Sequence, residues 1–300
     1  MLLSRLTEFG IQTLTTKQAT QLIRQRNRFA QRYSEQAALI NLISQRLLER
    51  LQLVKITPEV IVDLGSFDGS TCRSLKDIYN KAQIIGVEPA TRLCQIATKQ
   101  VGWFSKQHYI SALPEHLPLA NNSVDLVILN LYPVWLTDPN SLFAEINRIL
   151  TAEGLVLFSS LGPDTLKQIN DSWRQADESY PHTMLFTDMH DIGDALTRNS
   201  FHNIVMENEP LNINYPDIDS IHDDLKLTGH ALLAPKRRKT LTGKQRYQRY
   251  IDALTAQMTP ELNITYDLIF GHGWKGYKQP KHAINALDDT YGAIPFKAID

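Results

Sequence analysis

Three hundred residues suffice for one large α/β domain or two small ones, and they can bury a core without disulfide or metal staples. With 31 Lys+Arg against 32 Asp+Glu the net charge is −1, so the surface as a whole attracts neither nucleic acid nor an anionic membrane. Only Cys72 and Cys94 are present, which excludes a disulfide framework or a cysteine zinc cluster, and no apolar run approaches the roughly 20 residues that span a bilayer. Without a leader-like segment at the first residues either, the expected compartment is the cytoplasm.

From Thr16 to Leu53 apolar positions recur at alternating spacings of three and four, which predicts one or two amphipathic helices. The pattern then switches to short apolar runs separated by helical stretches. Runs at Val60–Val62, Ile84–Val87, Val124–Leu129 and Leu155–Phe158 read as strands, and 70–78, 91–101 and 141–150 as the helices between them. Such βαβ units predict a doubly wound, mostly parallel sheet covered on both faces. Helices follow at 164–176 and 188–199, extended segments at 204–206 and 211–215, helices at 218–227 and 243–257, and a β-prone run at Ile264–Phe270. The expected organisation is an N-terminal helical lid (1–55), an α/β core (56–210), a helical insertion capping the substrate (211–262), the last strand of the core (263–275) and a tail (276–300).

The informative segment is Asp63-Leu64-Gly65-Ser66-Phe67-Asp68-Gly69-Ser70. A strand that ends in a glycine turn and opens a helix lets backbone N–H groups approach a ligand closely, and Glu88, 25 positions after Asp63, stands where a carboxylate meets ribose hydroxyls. An acid just before the turn suits an ammonium and repels a pyrophosphate. The pattern therefore points to S-adenosylmethionine rather than NAD, with Asp63, Gly65, Ser66, Gly69 and Glu88 as its contacts.

Further motifs extend this reading. Residues 114–119 (PEHLPL), 123–127 (SVDLV), 130–135 (NLYPVW), 158–166 (FSSLGPDTL) and 189–194 (MHDIGD), then Asp224-Leu225-Lys226 and the stretch Tyr266 to Trp274, together resemble the class I S-adenosylmethionine-dependent methyltransferases. More narrowly they resemble the malonyl-acyl-carrier-protein O-methyltransferases of biotin synthesis. The resemblance implies the seven-stranded methyltransferase sheet, cofactor contacts also at Tyr33, Pro89, Pro114, Glu115 and Asn130, and an acidic acyl carrier protein bearing a malonyl thioester as partner. Two departures stand out: Phe67 replaces a glycine usual in the turn, and Phe29 and Tyr33 are one residue closer than in the family. A phenylalanine at that point must turn its ring away or crowd the site. Another class I small-molecule methyltransferase, or a non-catalytic relative, stays open on these grounds.

A malonyl carboxylate is ionised at neutral pH and needs no base, only alignment and removal of water. Tyr132, Trp135 and Lys226 are the candidates for holding it, since ligands of this fold sit at the carboxyl ends of parallel strands. His272 should be structural, because the last strand is expected to run antiparallel. His190, His222 and His230 lack metal-ligand spacing, so no metal is expected. Glu145 and Arg148 read as a surface pair. The basic run Lys236-Arg237-Arg238-Lys239, continued by Lys244, Arg246 and Arg249, reads as a solvated face or as a patch that steers the carrier protein.

Overall fold

The computed structural model describes residues 16–102, 105–114, 116–132, 139–184, 186–228, 240–257 and 262–276. Two helices, α1 (Thr16–Gln36) and α2 (Ala38–Leu51), precede the sheet. Then come β1 (Val60–Leu64), α3 (Ser70–Ile78), β2 (Gln83–Val87), α4 (Thr91–Lys99), β3 (Gln107–Ile110), β4 (Val124–Leu129), α5 (Pro139–Ile149) and β5 (Leu150–Leu161). After these follow α6 (Lys167–Ala176), α7 (Met189–Arg198), β6 (Phe201–Tyr215), α8 (Ile218–Thr228), α9 (Lys244–Thr255) and β7 (Leu262–Lys275).

The strands form one seven-stranded sheet in the order β3-β2-β1-β4-β5-β7-β6, parallel except for β7, which pairs antiparallel with β5 and β6. This is the expected doubly wound architecture. The central strands are apolar throughout because both faces are covered: Ile61, Val62 and Leu64 of β1 and Leu126 to Leu129 of β4 are fully buried. The chain leaves β1 toward β2 and β3, returns, and continues from β4 to β5. The switch point therefore lies between β1 and β4, where ligands of such sheets bind. Register sharpens this, since Leu64 pairs with both Val87 and Leu129 and the residues that follow them, Gly65, Glu88 and Asn130, emerge side by side.

Three features differ from the sequence reading. Strand β3 was not expected, because Gln107-His108-Tyr109-Ile110 carries no apolar run; it is an edge strand held by one neighbour. The extended pieces at 204–206 and 211–215 are parts of the single strand β6, so 211–215 continue the sheet rather than open the helical insertion, which starts after Tyr215. Pro210 is tolerated within it because β6 is an edge. Helix α6 starts at Lys167, three residues later than expected, after Leu166 in the left-handed region at φ 59°. Beneath the sheet, Arg50 of α2 stacks 3.7 Å from the Phe270 ring centroid and donates to Glu207 and Glu209 of β6, tying the second helix to the far edge. Among the described residues, no helix is long and apolar enough to cross a membrane.

Candidate active site

The turn after β1 is built for close approach. Gly65 and Gly69 sit at φ 76° and 81°, conformations that favour glycine, and the N–H groups of Gly65 and Ser66 both donate to the Val87 carbonyl, at 2.8 and 3.1 Å. At Gly65 a Cβ would also meet Tyr132 Cδ2 at 2.5 Å, so the Tyr132 ring lies directly on the turn. Phe67, too, is left-handed, at φ 49°. The backbone has kept the glycine conformation and the side chain has had to find a place: it is 4% exposed, with its ring 4.4 Å beneath the Arg26 guanidinium. Phe67 thus crowds the crevice rather than turning away to solvent.

Glu88 is fully buried at the tip of β2. Its Oε1 accepts from the Ala90 N–H at 2.8 Å and its Oε2 from the Phe67 N–H at 3.2 Å. The carboxylate also faces Arg26 Nη1, 3.3 Å from Oε2 and 3.4 Å from Oε1, and Arg26 is itself only 3% exposed. The sequence reading missed Arg26 entirely, although it shares the stripe of Leu22 and Ala30, both buried, at intervals of four. A charged residue on the apolar stripe of a helix was the available signal.

Asp63, at the end of β1, is also fully buried. Its Oδ2 accepts from the Cys72 thiol at 3.2 Å, while its Oδ1 has no hydrogen-bond partner, and the same holds for Ser66 Oγ. Burial pushes the Asp63 carboxyl up to about 7, against the Cys72 hydrogen bond, which lowers it, and with the nearby charges of Glu88 and Asp68 adding to the rise. Two orphaned polar atoms beside a left-handed turn and a buried acid are what a polar ligand would complete.

The other expected cofactor residues divide. Pro89 directly follows Glu88 and its carbonyl accepts from Ser111 Oγ at 3.4 Å, and Pro114 is buried. Asn130 stands beside Gly65 and Glu88 but is engaged at both ends: its Nδ2 donates to the Ile40 carbonyl at 3.0 Å and its Oδ1 accepts from Ser159 Oγ at 2.8 Å. It ties α2 to β4 and β5. Tyr33 lies on α1, but its side chain, Glu115 and Trp135 lie outside the described residues.

Lys226 is on α8, 61% exposed, with Nζ 2.9 Å from Asp223 Oδ1. It stands at a cavity of roughly 690 Å³ between α6, α8 and α9, walled by Trp173, Tyr250, His182 and His222. Trp173 stacks on His182 at 3.8 Å and on Tyr250 at 4.1 Å, and His222 Nε2 lies 3.0 Å from the Tyr250 hydroxyl. Burial lowers the His222 pKa, with the Lys226 charge adding to the effect. Tyr132 belongs to the glycine turn, and Lys226 to this neighbouring cavity.

His272 of β7 pairs with Leu157, in mid-strand, while Leu268 pairs with Leu161 at the carboxyl end of β5, so His272 is displaced from the ligand edge as expected. Glu145 and Arg148 are more than a surface pair. Glu145 accepts from the Leu117 N–H at 2.6 Å, and Arg148 donates to the Leu117 and Leu119 carbonyls and to Asn121. Together they clamp the segment leading into β4. The run 236–239 lies outside the described residues, and two of the basic residues that continue it are engaged with the chain itself: Arg246 pairs with Asp177 at 3.5 Å, and Arg249 donates to the Ala176 carbonyl at 3.1 Å.

A sheet of this order, switching between β1 and β4 at a glycine turn faced by a carboxylate on β2, is that of the class I methyltransferases. The Methyltransferase domain family matches residues 62–158. Solved structures share the fold, among them the YcgJ protein of Bacillus subtilis (TM-score 0.55, 16% identity, 77% of this chain and 98% of that one). Curated relatives are nearer. Malonyl-[acyl-carrier protein] O-methyltransferases of Legionella pneumophila and Gallionella capsiferriformans are each 36% identical to this chain over 83% of its length and 88% of theirs, and that of Methylovorus sp. is 36% identical over 90% and 92%. The chain belongs to the malonyl-[acyl-carrier protein] O-methyltransferase family.

Proposed function

We propose that the protein transfers the methyl group of S-adenosylmethionine to the free carboxylate of a malonyl thioester on an acyl carrier protein, masking it as a methyl ester for elongation toward the pimelate part of biotin. One observation carries the cofactor half of this reading. Glu88, whose carboxylate accepts from the Phe67 N–H, and the partnerless Asp63 Oδ1 and Ser66 Oγ all stand at the left-handed turn of the switch point, buried acceptors suited to a ribose diol and an amino-acid ammonium. The family membership supports the acceptor half.

When bound, the cofactor supplies an electrophilic methyl on a sulfonium. Glu88, Asp63 and Ser66 would hold it, and the methyl would pass to the carboxylate oxygen while the sulfur kept the electron pair of the broken bond. No proton moves, so the protein's task is to hold the oxygen in line and strip its water. The aromatic wall of the neighbouring cavity can exclude water, and Lys226 at its rim can orient the anion without burying it in a tight pair. Replacing Lys226 with Met is expected to lower kcat/KM for the malonyl thioester by at least about tenfold, roughly 1.4 kcal/mol, with cofactor affinity unchanged. An unaltered kcat/KM removes Lys226 from the site.

The whole reading is tested by rescue of a biotin auxotroph lacking this methylation, together with transfer of tritium from labelled S-adenosylmethionine to malonyl-carrier protein. Transfer only to other small acids would make the chain a different small-molecule methyltransferase. The absence of any transfer would make it a non-catalytic relative.

A further inference from the structure

The arrangement of Arg26 bears on how the site is reached. Its guanidinium occupies the crevice at the glycine turn, against the carboxylate proposed for the ribose and over the Phe67 ring. The contact is not an optimal ion pair. A single nitrogen, Nη1, faces both oxygens at 3.3 and 3.4 Å, whereas a two-nitrogen Arg–carboxylate fork closes to about 2.7–2.9 Å. The two shorter contacts of Glu88, at 2.8 and 3.2 Å, are with backbone N–H groups, which would remain if Arg26 left.

The rest of α1 is held by outlying contacts that could guide a return. Asn27 accepts from the Arg92 N–H of α4 at 2.8 Å, Gln25 Nε2 donates to the Lys226 carbonyl of α8, and Arg32 lies 3.8 Å from Asp223. The helix is therefore docked at the cofactor crevice at one point and at the wall of the acceptor cavity at another.

We propose that Arg26 is a latch that sets cofactor affinity: it competes with the cofactor's ribose for Glu88, and Phe67, where the turn's conformation suits glycine, is the platform that holds it there. The inference rests on the reading that Glu88 takes the ribose. A ribose diol offers Glu88 two O–H donors in place of one overextended N–H, so the cofactor can displace the latch, at a cost in apparent affinity equal to the fraction of molecules in which it is open. Residues 67 and 26 thus set the cofactor concentration at which the enzyme works.

The test is isothermal titration of S-adenosylhomocysteine into the full-length protein and its variants. Arg26→Ala, Arg26→Met, which keeps the stem's packing on Phe67, and Phe67→Gly are each expected to bind at least fivefold more tightly than wild type, corresponding to a latch closed in about four molecules of five. Glu88→Gln should lose binding. If the Arg26 and Phe67 variants bind as wild type or more weakly while Glu88→Gln still abolishes binding, the latch is refuted and the cofactor site stands. Flat titrations throughout, or undiminished binding by Glu88→Gln, would overturn the cofactor site and the latch with it.

Discussion

Glu88→Ala is expected to lower the stability of the protein by about 3 kcal/mol, and adding Arg26→Met to it is expected to restore at least half of that loss. The sign follows from burial. With Arg26 3% exposed and Glu88 fully buried, removing the carboxylate takes one member out of a buried ion pair, a change that typically costs about 3–5 kcal/mol. The separations of 3.3 and 3.4 Å place the effect at the low end of that range. The Phe67 and Ala90 N–H groups also lose their acceptor, and the second substitution does not return it, so recovery should be partial. Urea unfolding of the wild type, both single variants and the double variant gives the coupling energy directly. Additive losses would show that Arg26 and Glu88 do not interact in the folded protein.

How much of this could be read from the chain varies with what each residue owes to its neighbours. The strand, turn and helix at 60–78 were legible because a β-branched run, two glycines and a helix-forming stretch act locally. Glu88 was legible because its distance from Asp63 is set by one βαβ unit. Strand β3 was not, since its four residues owe their strand state to pairing with β2, and the packing of Tyr109 across Gly86 appears only once the two strands meet. Nor was the occupancy of Asn130. Its place just after β4 could be read locally, but its partners Ile40 and Ser159 lie 90 and 29 residues away along the chain. Arg26 is the instructive case. Among Arg24, Arg26, Arg28 and Arg32 the sequence shows a basic helix, and only the buried stripe through Leu22 and Ala30 distinguishes the one that faces inward.

Asp63 makes the stability of the protein depend on pH. Its carboxyl is raised to about 7 in the folded chain, above the value near 3.9 expected when unfolded, because burial disfavours the charged form. A group raised in this way contributes fully to stability below the unfolded value and loses that contribution as pH rises through the folded one. Asp63 should therefore cost stability progressively between about pH 4 and 7, reaching on the order of 4 kcal/mol above pH 7. Asp63→Asn, which keeps the shape and cannot ionise, is expected to match wild type near pH 3 and to exceed it by roughly 2–4 kcal/mol at pH 8, as measured by urea unfolding at the two values. The cofactor reading adds a second consequence with the opposite sense. An ammonium beside Asp63 Oδ1 favours the ionised carboxylate, so S-adenosylhomocysteine affinity should fall by up to about tenfold between pH 8 and 6 in the wild type and show no such fall in Asp63→Asn. A variant no more stable than wild type at pH 8 would mean that Asp63 ionises without penalty in the fold. Wild-type affinity that is flat across this range would remove the ammonium from Asp63.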